Sequence, residues 1–498
     1  MKTKEDLEII ARYQKEIRLL SQTSGLLQWD QRTYMPKKAI KSRAEQTALL
    51  SSLIHEKFTS DEFFNAISRL KNKNLDEEST LIVRKLYKEI SKSKKLPKEF
   101  IEELSKTSSI ANKAWEEARE RKDFSIFLPH LKKLIDLKRK QAKLIELPGH
   151  IYNSLLDDFE EGMTVEKLTP VFQELKTNLI SIIKKIKSSR DYNELKIKIL
   201  GGKFPKELQM ELAKDVAKAI GLEEDYSRID FSEHPFSIKL GTNDGRITTN
   251  IRTDPLFCFG ATMHESGHTL YELGIPEEYE YNIMGDAPSY GLHESQSRFW
   301  ENMIGLSKPF WKYYFPKFKE RFKIKEKFNE WYKEVNFVTP GLIRIEADEI
   351  HYCLHIILRF ELEKALIEGS IQAESLPKLW NEKMKEFFGV EPKNDKDGVM
   401  QDIHWSEGCF GYFPSYAIGT IYAAQIYEAL KKDIPDMEKD IEKGDYKKIK
   451  SWLKQKIHKH GAKFLAEDII KEVCGEGLNP KVFIDYLNKK YLEMYNLK

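Results

Sequence analysis

His264 and His268 lie four positions apart, and Glu265 follows the first of them, so the stretch His264-Glu265-Ser266-Gly267-His268 reads H-E-x-x-H. On a helix, residues four apart share a face, and both imidazoles then point the same way. Two neutral imidazoles on one face can chelate a zinc ion, and the intervening glutamate can take a proton from a water held there. The pentapeptide by itself also fits a half-buried helix with a histidine pair. Its frame favours the metal: Asp254 can cap a helix, Pro255 suits its first turn, and Gly274 followed by Pro276 ends it.

A catalytic zinc takes three protein ligands and keeps one position open. The next helical stretch, opened by Pro288 and Ser289 and closed by Gly305 and Pro309, carries His293 and Glu294 side by side. Neighbours on a helix are roughly 100° apart, so only one of them can face the metal well. The residues leave two sets open, two histidines with Glu294 or three histidines with His293. The metzincin pattern is excluded, because Tyr271 and Gly274 stand where it needs glycine and histidine.

These helices need a frame, and the chain supplies one that is mainly α. Residues 5 to about 225 predict helix after helix, with Leu7, Ile10, Tyr13, Ile17 and Leu20, then Ile82, Leu86 and Ile90, at helical spacing. Pro129, Pro148 and Pro170 punctuate the run, with Thr164 and Thr169 as caps. Trp29 to Pro36, W-D-Q-R-T-Y-M-P, predicts a loop that packs its tryptophan into the core. The texture changes near 230. Phe236, Ile238 and Leu240 alternate with polar residues, as do Ile247, Thr249 and Ile251, and Asn243-Asp244-Gly245 between them signals a hairpin. A sheet edge just before the H-E-x-x-H helix would suit a peptidase, since an extended peptide can bind by adding a strand.

Further on, Arg344 and Asp348 at helical spacing predict a surface ion pair. His351 and His355, with no glutamate between them, predict packed histidines. Gly398 to Trp405 and Gly411 to Tyr416 mix Gly, Pro and aromatics without period, which predicts irregular backbone of the kind that lines sites. The lysines between 430 and 460 are interleaved with acids and read as a solvated face.

Composition narrows the function class. The 498 residues carry 82 basic and 79 acidic side chains, a net charge of +3, which gives no argument for nucleic acid or an acidic membrane. No run of eighteen apolar residues predicts a membrane span, and the charged N-terminus shows no signal peptide. Four cysteines without a C-x-x-C pair predict a reducing, cytoplasmic setting.

The motifs together are specific. His234-Pro235-Phe236, Asp244-Gly245-Arg246-Ile247-Thr248, the H-E-x-x-H, His293-Glu294-Ser295-Gln296, Ile343-Arg344 with Ala347-Asp348, and Gly398 through Trp405 follow one another in an order that resembles the M32 metallocarboxypeptidases. W-D-Q-R-T-Y-M-P and Gly477-Leu478-Asn479-Pro480 fit too, so the resemblance spans nearly the whole chain. It implies one helical peptidase domain over residues 1–498, similar to neurolysin, with a deep groove and a small antiparallel sheet beside the active site. It implies a cytosolic homodimer that removes single C-terminal amino acids with broad specificity and acts poorly after proline. The implied metal is zinc, with cobalt also supporting activity, held by His264, His268 and Glu294 with Glu265 as base.

For the oxyanion the candidates are His404 and Tyr416, with Tyr412 behind them. For the substrate carboxylate an arginine's planar fork is suited, and the resemblance places Arg344 at the substrate end. Arg246 suits the hairpin better, and His234 joins Tyr412 on the substrate-binding side. Competing readings are an oligopeptidase or dipeptidyl carboxypeptidase of the same fold, and a helical binding protein with a structural zinc. A structural site would want a fourth protein ligand, and none is evident.

Overall fold

The computed structural model describes residues 2–194 and 204–497. Helices dominate on both sides of position 230; the stretch 195–203, inside the predicted helical run, lies outside the described residues. The first helix, α1, runs Lys2–Thr33 and includes Trp29 to Thr33 as its last turns. The predicted loop is therefore helix up to Thr33. Trp29 is buried as expected, its ring 5.4 Å from that of Phe236. Thr164 caps the helix Val165–Ser188, but Thr169 and Pro170 fall inside that helix and Pro129 inside Phe124–Ile145. Proline forfeits one backbone hydrogen bond there, and the packed apolar face outweighs it.

Three strands form one sheet: β1 (Ser227–Phe231), β2 (Ser237–Gly241) and β3 (Asp244–Thr249), in the order β1-β3-β2. The expected pair β2–β3 is antiparallel, but β1 adds parallel to β3, so the sheet is mixed rather than antiparallel. β1 (Ser-Arg-Ile-Asp-Phe) is short and charged, and only its long-range pairing makes it a strand. The hairpin turn also sits earlier than predicted. Asn243 takes the left-handed backbone (φ 58°), while Asp244 and Gly245 already belong to β3. A register shift between Lys239 and Gly241 bends β2 at the edge.

Behind the sheet lies α2 (Pro255–Gly274), capped by the Asp254 side chain on the Leu256 amide. The next segment is α3 (Tyr290–Arg298), capped by Ser289, which widens into a π-turn over Phe299–Ile304. Two later helices complete the frame, α4 (His351–Glu368) and α5 (Phe413–Asp433). α3 is packed between α2 and α5, and α5 in turn lies on α4. The main apolar cluster draws on residues from Ala111 to Tyr495, across the texture change at 230, and a smaller one joins Ile10, Phe63, Ile67, Leu86 and Ile90. Among the described residues, no helix is long and apolar enough to cross a membrane.

Close helix contact at the centre depends on glycine. A Cβ on Gly267 would stand 2.5 Å from the Gln296 carbonyl oxygen and 2.7 Å from Ser297 Cα, while one on Gly260 of the same helix would meet nothing within 4 Å. Both obstructing atoms are backbone and cannot step aside. Gly267→Ala is therefore expected to cost about 1–3 kcal/mol through overpacking and to lower the unfolding temperature by a few degrees. Gly260→Ala should be neutral or slightly stabilising, by up to about 1 kcal/mol of helix propensity. Calorimetry on the two variants checks the contrast.

Candidate metal centre

His264 and His268 project from one face of α2 toward Glu294 on α3. The Nε2 atoms stand 3.6 and 3.4 Å from the same Glu294 oxygen, Oε2. One donor atom from each of the three residues lies within 4.8 Å of the others, the one such group among the described residues. His293 points elsewhere. Its Nε2 is 3.2 Å from Glu272, and its ring stacks on His268 at 4.2 Å, backing that imidazole.

The surroundings fix these donors. Glu301, on the π-turn, meets His264 Nδ1 at 2.7 Å, so the ring turns Nε2 toward Glu294. Arg298 donates from Nε to the other Glu294 oxygen (2.8 Å) and from Nη1 to Glu301 (3.1 Å), and its guanidinium lies 3.8 Å above the Tyr352 ring. Ser297 donates to Glu294 Oε2 at 3.0 Å. Burial alone would push the Glu294 carboxyl up; Arg298 and the two histidines more than reverse it and hold it well below the usual range. α5 comes close beneath at Gly419, where a Cβ would lie 2.7 Å from Glu294 Cβ.

The donor set fits a divalent cation. Burial lowers the His264 pKa, but Glu294, Glu301 and Glu265 overcome this and raise it to about 9. A pocket that stabilises a proton there so strongly stabilises positive charge in general. His268 is held down to about 4 by burial and its histidine neighbours, so it offers a lone pair. Two imidazoles and one carboxylate suit zinc and related ions, and among the described residues no fourth donor joins the group.

Glu265 is buried against β2. Burial raises its pKa to about 7, with His264 and a hydrogen bond from Ser237 pulling it back. Ser237 also lines a cavity of about 560 Å³, together with Lys239, Glu272, Tyr290 and His293 among others, whose wall does not include Glu265 or the three donors themselves. His234 is exposed in the connection from β1 to β2.

The 398–412 segment is irregular as predicted, but Phe413 to Tyr416 form the first turn of α5. His404 Nε2 lies 3.1 Å from the Tyr416 hydroxyl, and the Tyr412 ring meets Tyr416 edge-on at 5.1 Å. Burial lowers the His404 pKa to about 3, so the ring is neutral. Both tyrosine hydroxyls, whose pKa values burial raises, also feel the charge of Glu294.

Arg344 departs from its expected partner. It sits on a short 3-10 turn, Arg344–Glu346, and its Nε and Nη2 reach Asp402 at 3.0 and 2.8 Å, with Nη1 3.2 Å from the Tyr352 hydroxyl. Asp348 instead holds His351 at 2.7 Å, because the backbone between 344 and 348 is not α-helical. His351 and His355 are fully buried, as predicted. Arg246 pairs with Asp244 at 2.8 Å within the hairpin. Sequence reasoning missed Arg298 and Glu301, although their offsets of four and seven from Glu294 mark one helix face.

Comparison with known proteins places this geometry in context. The model of the family described as carboxypeptidase Taq (M32) metallopeptidase matches residues 9–491. Carboxypeptidase 1 of Bacillus subtilis is 38% identical over 489 residues, covering 97% of each chain. Thermostable carboxypeptidase 1 of Thermus thermophilus is 38% identical over 500 residues, covering 97% of this chain and 98% of that one. The crystal structure of an M32 carboxypeptidase from Deinococcus radiodurans superposes with a TM-score of 0.95 at 31% identity, over 99% of this chain and 100% of that one.

The Glu301 contact yields a direct test. Glu301→Gln keeps the shape but weakens the hold on His264 Nδ1, and affinity for zinc is expected to fall about 10- to 100-fold. Competition against a chromophoric chelator measures it.

Proposed function

The chain belongs to the carboxypeptidase Taq (M32) metallopeptidase family and is a metal-dependent carboxypeptidase, and from that premise we propose how its own residues carry out the reaction. His264, His268 and Glu294 would hold the cation, which we take to be zinc, with cobalt as a working substitute. Bound there, it supplies a Lewis acid for the peptide carbonyl and makes a water acidic enough to lose a proton near neutral pH.

Glu265 takes that proton as the water attacks the last peptide bond, then returns it to the leaving amine. A buried carboxylate with a pKa raised to about 7 suits both halves of this task. The Tyr416 hydroxyl, braced by His404 and walled by Tyr412, donates to the developing oxyanion. Arg344, whose Nε–Nη2 edge is held by Asp402, binds the free C-terminal carboxylate through the Nη1 and Nη2 protons that Asp402 and Tyr352 leave over. Upstream residues of the peptide lie along the open edge of β2 near His234 and run into the cavity lined by Ser237 and Tyr290.

The observation that carries this reading is the meeting of three donor atoms within 4.8 Å beside a buried glutamate. Products are single amino acids of broad type, released from the C-terminus. The resemblance also supports a homodimer in the cytoplasm, and four free cysteines agree with a reducing compartment.

Glu265→Gln is expected to keep the metal and lose about 10²- to 10⁴-fold in turnover. Metal analysis alongside kinetics reads both, and retained activity would remove Glu265 from the base role. Mass spectrometry of one digested peptide should show a ladder losing one C-terminal residue at a time, abolished by chelator. Fragments two residues shorter, or internal cuts, would favour a dipeptidyl carboxypeptidase or oligopeptidase. Arg344→Ala should lose far more activity on free peptides than on C-terminally amidated ones.

A further inference from the structure

Arg359 lies on α4 and is 0% exposed, so it cannot touch a peptide. Its Nε donates to Asp402 Oδ2 at 2.7 Å, and Nη1 to the His355 carbonyl at 2.7 Å. Asp402 Oδ1 is the acceptor for Arg344. One buried carboxylate thus bridges two guanidiniums, neither of which gives up its proton in a protein. The neighbouring histidines add no charge: burial holds His404 and His355 neutral. Glu363, one turn further along α4, feels the Arg359 charge but takes its hydrogen bonds from Tyr152, Trp405 and the Gly411 amide, and none from either arginine.

The charge count has a consequence for substrate binding. Arg344 and Asp402 alone would form a neutral pair with little attraction for a third charge, and Asp402 would repel an incoming carboxylate. We propose that Arg359 is a positioning residue for recognition of the substrate C-terminus: by sharing Asp402 it leaves the trio one positive charge in excess, which keeps Arg344 receptive to the carboxylate. Asp402 then acts as a strut that sets the Arg344 fork instead of cancelling it. This rests on the reading of Arg344 as the carboxylate site and adds the source of its net charge.

The test uses the full-length metal-loaded enzyme and one peptide in free and C-terminally amidated forms. Arg359→Met removes the charge at similar volume. A unit charge acting over roughly 8 Å at an effective dielectric near 20 is worth on the order of tenfold or more in binding. KM for the free peptide should therefore rise about that much, with kcat little changed and the slow turnover of the amidated peptide unaffected. Arg359→Lys, which keeps the charge, should stay near the parent enzyme. The double variant Arg359→Met with Asp402→Asn restores one net positive charge and should recover most of the lost KM.

Equal losses on both peptides with no rescue in the double variant would make Arg359 a purely structural residue and overturn the proposal. So would a folded Arg359→Met enzyme with an unchanged KM. Should Arg359→Met fail to fold, the Lys and double variants decide: a Lys variant as impaired on amidated as on free peptide overturns it, and parent-like KM in both supports it. Arg344→Ala separates the two layers. If it harms free and amidated peptides equally, the carboxylate site itself is misassigned and this inference falls with it. If it is selective while Arg359→Met is not, only the present inference fails.

Discussion

One buried carboxylate, ionised between two imidazoles, sets the demands on this structure. Glu294 is 5% exposed, and a charge so far from water needs compensation on every side. Arg298 supplies it on one oxygen and the two histidines face the other. The helices must then come closer than ordinary side chains permit, and they do so at glycines: Gly267 where α2 meets α3, and Gly419 where α5 passes under Glu294. Arg298 in turn lies over the Tyr352 ring and is shared with Glu301, which aims His264. The three clustered donor atoms are thus one end of a charge network whose larger part lies in the core.

Legibility in the sequence followed the range of the interaction. The α2 helix, its Asp254 cap and the facing of His264 and His268 rest on contacts within a few residues, and periodicity reveals them. So do the buried His351 and His355. The choice between His293 and Glu294 depends on which way α3 is rotated against α2, a long-range fact that spacing leaves open and that the family resemblance resolves toward Glu294. Arg344 shows the limit most clearly. Its spacing from Asp348 suggested a helical pair, yet its partner is 58 residues away at Asp402, because the backbone there turns as a 3-10 helix. β1 was invisible for the same reason: nothing in Ser-Arg-Ile-Asp-Phe marks a strand until β3 lies beside it. Trp29 to Thr33 failed in the other direction, since a run ending in Thr-Tyr-Met-Pro looks like a turn, while α1 continues to Thr33 and only Tyr34 to Pro36 leave the helix.

The two halves of the proposed substrate site differ in how they are built. The metal side is carried by helices and a π-turn whose side chains are mutually hydrogen-bonded. The carboxylate side is carried by an irregular segment, 398–412, pinned at Asp402 by two arginines and at Trp405 and Gly411 by Glu363. Buried ion pairs seldom add net stability over apolar packing, but they do fix geometry. Here they hold a loop-like backbone against α4.

The sheet edge at β2 has a further consequence, for solubility. An unpaired strand is a template on which other chains can stack, and proteins with such edges tend to aggregate. β2 is only five residues long, is kinked by the register shift at Lys239 and Gly241, and has its lysine tied back to Glu280 at 2.7 Å. A single extended segment can still lie along so short and bent an edge. A second folded copy, bringing a flat sheet of its own, finds no straight run of backbone to join, so the edge is a poor template for fibre growth.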